Sequence, residues 1–141
     1  METISKNVVD AVKPETESAM NNEEKKEQLR KEKMEQLRKK YKEIDGKIYE
    51  IVTSIQEDDE NETEFDFIFR KPGTPSYDRY VKTSGTSGTK ALKTFVLDNI
   101  CDEQRDELKD ILEEYPAMAI SFGEKLLNML GLSKDTTVKK L

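Results

Sequence analysis

Residues 90–132 read KALKTFVLDNICDEQRDELKDILEEYPAMAISFGEKLLNMLGL, and this stretch decides the fold. Its apolar residues recur at helical spacing in three consecutive groups. Leu92, Phe95, Val96 and Ile100 form the first stripe, and Asp102 is placed to cap the helix that follows. That second helix carries Leu108, Ile111, Leu112 and Tyr115. Pro116 then opens a third helix, with Ile120, Leu126, Leu127 and Leu130 as its stripe and Gly131 at its end. No other part of the chain has apolar patterning as dense.

Immediately upstream, Ser84-Gly85-Thr86-Ser87-Gly88-Thr89 reads as a loop. Before it, Thr74 followed by Pro75 gives an N-cap and a first-turn proline, predicting a helix over 75–83 that presents Tyr77, Tyr80 and Val81. Further back the period changes from helix to strand. Phe65, Phe67 and Phe69 alternate with Glu64, Asp66 and Ile68, the mark of a strand over 64–71 with one apolar face. Residues 47–56 are similarly rich in β-branched and aromatic side chains. Glu57-Asp58-Asp59-Glu60-Asn61-Glu62-Thr63 connects the two runs at hairpin-like length, so 47–71 is predicted to be an antiparallel hairpin. Two strands alone are marginal in water. The Phe face must therefore pack on the helices that follow.

Residues 22–44 predict a long charged helix. Asn21 or Asn22 can cap it, Glu23 and Glu24 suit its first turn, and its interior is almost all strong helix formers. Met34, Leu37, Tyr41 and Ile44 follow 3-4 spacing, but the pattern lasts under two heptads before Gly46 interrupts it, short of a sustained coiled coil. Three readings stay open for this helix: a solvated helix lying partly on the domain, self-association through Met34, Leu37, Tyr41 and Ile44, or contact with RNA or DNA. Residues 25–42 hold nine Lys/Arg against three Glu, a net +6 within a chain whose total is −6. The interleaved glutamates and the lack of aromatics between the basic residues weigh against nucleic acid. Residues 1–21 read as a polar N-terminal tail, in which Ile4, Val8 and Val12 permit a short helical turn before Pro14. A peptide that docks when a partner is present is the alternative there. Residues 133–141 read as a C-terminal tail.

Composition bounds the rest. Of 141 residues, 34% are hydrophobic and 38% charged, too polar for the whole chain to surround one core. A compact part of about 85–95 residues fits, a size that folds alone with modest stability, and 45–132 is its natural extent. The expected fold class is α+β and mainly helical: a small bundle of about four helices packed on a β-hairpin, preceded by a charged helix. No apolar run approaches the roughly 20 residues of a membrane span, and the N-terminus lacks the pattern of a signal peptide. One cysteine, Cys101, excludes an internal disulfide. A cytoplasmic, non-secreted protein is expected, with no membrane partner.

The chemistry-bearing residues point away from catalysis. The chain has no His, which removes the side chain most used for acid–base work and metal ligation near neutral pH. The acidic connector lacks the glycine and glutamate positions of a Ca²⁺ loop. Gly85-Thr86-Ser87-Gly88-Thr89-Lys90 lacks phosphate-loop spacing. Cys101 has no histidine to activate it and reads as a structural thiol. No catalytic residue, cofactor or metal is expected. Binding surface remains: Met118, Phe122 and Met129 on the last helix are candidates for an adaptable apolar patch, with Tyr77 and Tyr80 as a second pair. Burial of each set in the core is the competing reading.

The order of motifs resembles one known family. Phe67-Ile68-Phe69-Arg70-Lys71-Pro72 leads into Ser76-Tyr77-Asp78-Arg79-Tyr80, then Lys90-Ala91-Leu92-Lys93 with Leu97-Asp98, then Glu113-Glu114-Tyr115-Pro116 and Leu126-Leu127-Asn128-Met129-Leu130-Gly131. This is similar to the small tail assembly chaperones of tailed phages and of phage-derived, tail-like bacteriocins of Gram-positive bacteria. The resemblance covers 47–132, and the charged helix falls outside it. It implies a non-enzymatic role in tail morphogenesis: transient binding of the tape measure protein, a long apolar-striped helical rod, and recruitment of tail tube subunits in the host cytoplasm. Two other functions fit the residues, a regulatory or nucleic-acid-associated adaptor using 25–42 and a structural subunit of the tail particle.

Overall fold

The computed structural model describes residues 21–44 and 46–141. They divide after Ile44 into two units. The expectations for the first 20 residues lie outside the described residues.

The described residues of the first unit form one helix, α1 (Asn22–Lys42). Its start follows the local chemistry: Asn21 caps it, its Oδ1 accepting from the Glu24 backbone N–H at 2.7 Å, with Glu23 and Glu24 in the first turn. Lys39, Lys40 and Lys42 occupy the last turn, where cations complement the helix dipole. Met34, Leu37 and Tyr41 are its buried residues. Ile44, the fourth member of the expected seam, lies beyond the end of the helix and is 45% exposed.

The second unit is α+β. Strands β1 (Ile48–Gln56) and β2 (Glu62–Arg70) form an antiparallel hairpin in register from Ile48↔Arg70 to Gln56↔Glu62. Asp58 builds the turn. Its carboxylate accepts from the backbone N–H groups of Glu60 and Asn61, both at 2.8 Å, and from the Asn61 side chain. Those bonds, the Asn61 amide first, hold its pKa below the ordinary carboxylate value. Because the turn closes this early, β2 begins two residues before the expected start at Glu64. Phe67 and Phe69 are fully buried and Phe65 partly so. Ile68, on the opposite face, is also buried, so the expectation of one apolar face fails at this end of the strand.

The cause is visible in the backbone. The segment after the second helix of this unit runs beside β2, with Phe69 and Ile100 forming an antiparallel bridge. The Cys101 N–H donates to the Ile68 carbonyl at 2.9 Å. The Ile68 N–H donates to Gln104 Oε1 at 2.8 Å, and Gln104 Nε2 donates to the Asp66 carbonyl at 3.4 Å. A side chain here stands in for part of a third strand, satisfying backbone groups that burial would otherwise leave costly.

Four helices cover the Phe face. Helix α2 (Thr74–Ser84) starts one residue earlier than expected, with Gly73 rather than Thr74 as its N-cap; shifts of this size are ordinary at helix ends. Helix α3 (Gly88–Asn99) is capped by Ser87, whose Oγ accepts from the Lys90 N–H at 3.4 Å. Asn99 ties the two together, its Nδ2 donating to Ser76 Oγ at 3.0 Å and to the Phe95 carbonyl at 2.8 Å. Ile100 is buried but sits past the helix in extended conformation. Asp102 does not cap helix α4 (Arg105–Glu114) as expected. It opens a short 3-10 turn, Asp102–Gln104, and pairs with Arg105 at 3.1 Å. The tight turn is what aims Gln104 at β2.

Helix α5 (Met118–Met129) begins two residues after Pro116. It ends in a Schellman arrangement, with Leu132 N–H bonded to the Leu127 carbonyl, Gly131 N–H to the Asn128 carbonyl, and Gly131 at φ 109°. Its buried face is Met118, Ala119, Phe122, Gly123 and Leu126; of the expected stripe Leu126 is buried and Leu127 and Leu130 are partly buried against the core, whereas Ile120 is exposed, which corrects the reading at that position. Gly123 sets the rotation. A Cβ built there would lie 2.5 Å from Leu92 Cδ1, so α5 seats against α3 on the small pair Ala119 and Gly123, one helical turn apart. That orientation sends Phe122 inward, where its ring meets Phe67 at 5.6 Å and Phe69 at 5.3 Å. Residues 133–141 carry no regular structure, and among the described residues no helix is long and apolar enough to cross a membrane.

Candidate partner-binding groove

The side chains singled out from sequence do not converge on one surface. Met118 is 4% exposed and Phe122 is fully buried; both belong to the core. The structure thus corrects their assignment to an exposed patch, because the Ala119–Gly123 seat turns them toward the hairpin. Met129 is partly buried against the same core. Tyr80 is half-buried, its ring 5.0 Å from that of Phe95. Tyr77 alone of the five stands open, at 40%.

The same rotation that buries Phe122 exposes Ile120, at 59%. Ile120 forms one wall of a groove of about 430 Å³ whose other lining residues are Gly88, Thr89, Leu92, Pro116, Ala117 and Ala119. Two helix beginnings supply it: the first turn of α3 and the turn that leads from Pro116 into α5. Its lining is mostly apolar. Such a site takes apolar side chains and holds no acid, base or nucleophile. The Ala119–Gly123 spacing is the signal that would have found it, since a small-residue pair at i, i+4 marks the side of a helix that packs closely and thereby the side that does not.

Two other depressions are less suited to a ligand. Between α2 and α3 a cleft of about 200 Å³ is bounded by Tyr80, Thr83, Phe95 and the Arg79–Asp98 ion pair, 3.2 Å. A wider hollow of about 650 Å³ runs along α1 from Glu24 to Glu35. Its described lining comes from one face of α1 and is wholly polar or charged.

The chain belongs to a family known by its shared domain. Its residues 37–139 match the family described as Domain of unknown function (DUF6848), a span that takes in the hairpin and all four helices around it. A solved structure of similar fold is that of uncharacterised protein rbstp2171 from Bacillus stearothermophilus. It is 28% identical, covering 75% of this chain and 99% of that one, with a TM-score of 0.59. No curated protein matches.

The titratable groups of this family member are consistent in placement. Cys101 is buried, and burial pushes its thiol pKa up; it donates to Gln104 Oε1 at 3.3 Å. Glu113 is held below the ordinary carboxylate value by Lys93, 2.6 Å away. The Tyr115 hydroxyl donates to Glu57 at 2.8 Å, which raises its pKa. Among the described residues no three acidic or sulfur side chains gather as metal ligands.

Proposed function

We propose that this protein is a cytoplasmic tail assembly chaperone, binding the tape measure protein and tail tube subunits transiently during tail morphogenesis. The observation that carries the reading is the groove at the α3 and α5 beginnings. An exposed Ile120 beside Leu92, Pro116 and Ala117 makes an apolar slot of about 430 Å³, the kind of surface that grips aliphatic residues recurring along one stripe of a partner helix. The motif order from Phe67 to Gly131 supplies the family to which such a partner belongs. A chain carrying net charge −6 suits the shielding of an apolar rod, because like-charged complexes resist self-association.

Co-expression with the tape measure protein of the same gene cluster tests the reading. The expected result is a soluble complex on gel filtration, lost in Ile120→Glu while the free variant stays folded. A tape measure protein that remains insoluble with no complex overturns it. Recovery of this chain in purified particles also overturns it, in favour of a structural subunit.

A further inference from the structure

The segment that follows α5 starts on the same side of that helix as the groove. At the Schellman ending Gly131, at φ 109°, reverses the backbone, and the Leu132 N–H bonds to the Leu127 carbonyl at 3.0 Å. Lys134 then reaches Glu124, Nζ to Oε1 at 3.4 Å. Glu124 and Ile120 are related as i, i+4, so they share one face of α5. Residues 133–141 thus begin beside α5, on the face that carries the exposed wall of the groove.

The composition and length of this segment match the groove. Residues 133–141 carry three lysines and one aspartate in a chain whose net charge is −6. Val138 is an apolar side chain set among Thr136, Thr137, Lys139 and Lys140, and it is 94% exposed. Four residues on from Lys134, it has a reach of about 13 Å in extended chain. Ile120 lies only about 6 Å from Glu124 along the helix axis. Val138 therefore reaches the groove while Lys134 stays on Glu124. Lys139 and Lys140 then approach the end of α4, where Glu114 and the Lys93-paired Glu113 stand exposed just before Pro116.

We propose that the segment 133–141 is an internal occupant of the groove: in a closed state Val138 seats against Ile120, Leu92 and Pro116, and a client helix must displace it. The structure holds the open state. Attachment to α5 gives the segment a high effective concentration at the groove, so a weak contact suffices to populate the closed state. One apolar side chain and solvent-exposed ion pairs make that contact weak. A client with several apolar residues along one stripe therefore displaces it and shifts the population to the open state. Between clients the segment covers apolar surface that would otherwise stand open to association. The inference rests on the groove being the client site, but its test needs no client.

Methyl NMR of the full chain tests it. A nuclear Overhauser contact is expected between the methyl groups of Val138 and Ile120, unchanged on dilution and absent between differently labelled copies. Val138→Ser should raise binding of the apolar dye ANS by about twofold or more, with far-UV circular dichroism retained, and adding Ile120→Ser should cancel the rise. A wild type without the Val138–Ile120 contact overturns the proposal, as does a dye signal indifferent to Val138→Ser. A contact found only between copies also overturns it, in favour of a segment exchanged between chains. The contact seen where no tape measure complex forms would sink the chaperone reading alone. A complex formed by a chain that lacks the contact would sink this inference alone.

Discussion

Helix α1 and the unit from Gly46 to Leu141 differ in where the signals that shape them act. Those that start and stop α1 lie within one or two turns: an Asn21 cap, acids at the start and lysines at the end, with an Arg38–Glu35 pair at 3.2 Å that is exposed on both sides. Surface pairs of that kind contribute at most about 1 kcal/mol. Three of its residues are buried. The larger unit rests on contacts between residues far apart in sequence: Phe67 with Phe122, Ile68 with Gln104, Leu92 with Gly123. Local chemistry makes a helix; long-range packing makes a particular fold.

That contrast predicts a ranking of substitution effects. The largest is Phe122→Ala. It removes a fully buried ring that bridges β2 and α5, and about 3–5 kcal/mol of unfolding free energy should be lost in urea titration. Gln104→Ala comes next. It strands the buried Ile68 N–H without an acceptor, so a loss of about 1–3 kcal/mol is expected, together with faster amide exchange at Ile68. An unchanged exchange rate there would mean that the Gln104 side chain does not seal β2. In α1 the counterpart is Asn21→Ala, worth about 1 kcal/mol of local helix stability. Its effect should appear as fraying of the first turn by hydrogen exchange, with the hairpin amides unaltered. The smallest is Ile120→Ser. At an exposed position it should change stability by no more than about 0.5 kcal/mol, and a larger loss would place Ile120 in the core after all.

The same division explains what could be read from the sequence. The cap at Asn21, the glycine stop at Gly131 and the hairpin around Asp58 were legible because each is a signal carried by residues within a few positions of one another. The α+β class was legible because the period changes from helix to strand near Gly46 and back to helix near Gly73. Cys101 reads as a structural thiol because no histidine is there to activate it, and the fold buries it. The misreadings share one origin. Helix α5 is apolar over a wide arc, and the aliphatic spacing of Ile120, Leu126, Leu127 and Leu130 centres it to one side of the face that is buried, because Ala119 and Gly123 carry no weight in an apolar stripe although they mark the closest packing. Asp102 looked like a cap because local chemistry allows it; the chain instead tightens into a 3-10 turn because Gln104 finds unpaired backbone on β2. Nothing near Gln104 in sequence marks it for that role.

The candidate groove was accordingly half legible. Its helix was named, but its face was not, and Met118 and Phe122 stood where Ile120 belongs. By itself the sequence determined which segments are helix and strand, where most of them stop, and that a Phe face needed a helical cover. Those outcomes depend on propensity, capping and period, which act within a turn or a strand. Tertiary structure alone decided how α5 is rotated and which hairpin edge is closed. A side chain's worth at those places depends on what stands opposite it, Leu92 for Gly123 and Ile68 for Gln104, and the chain brings such residues together only by folding.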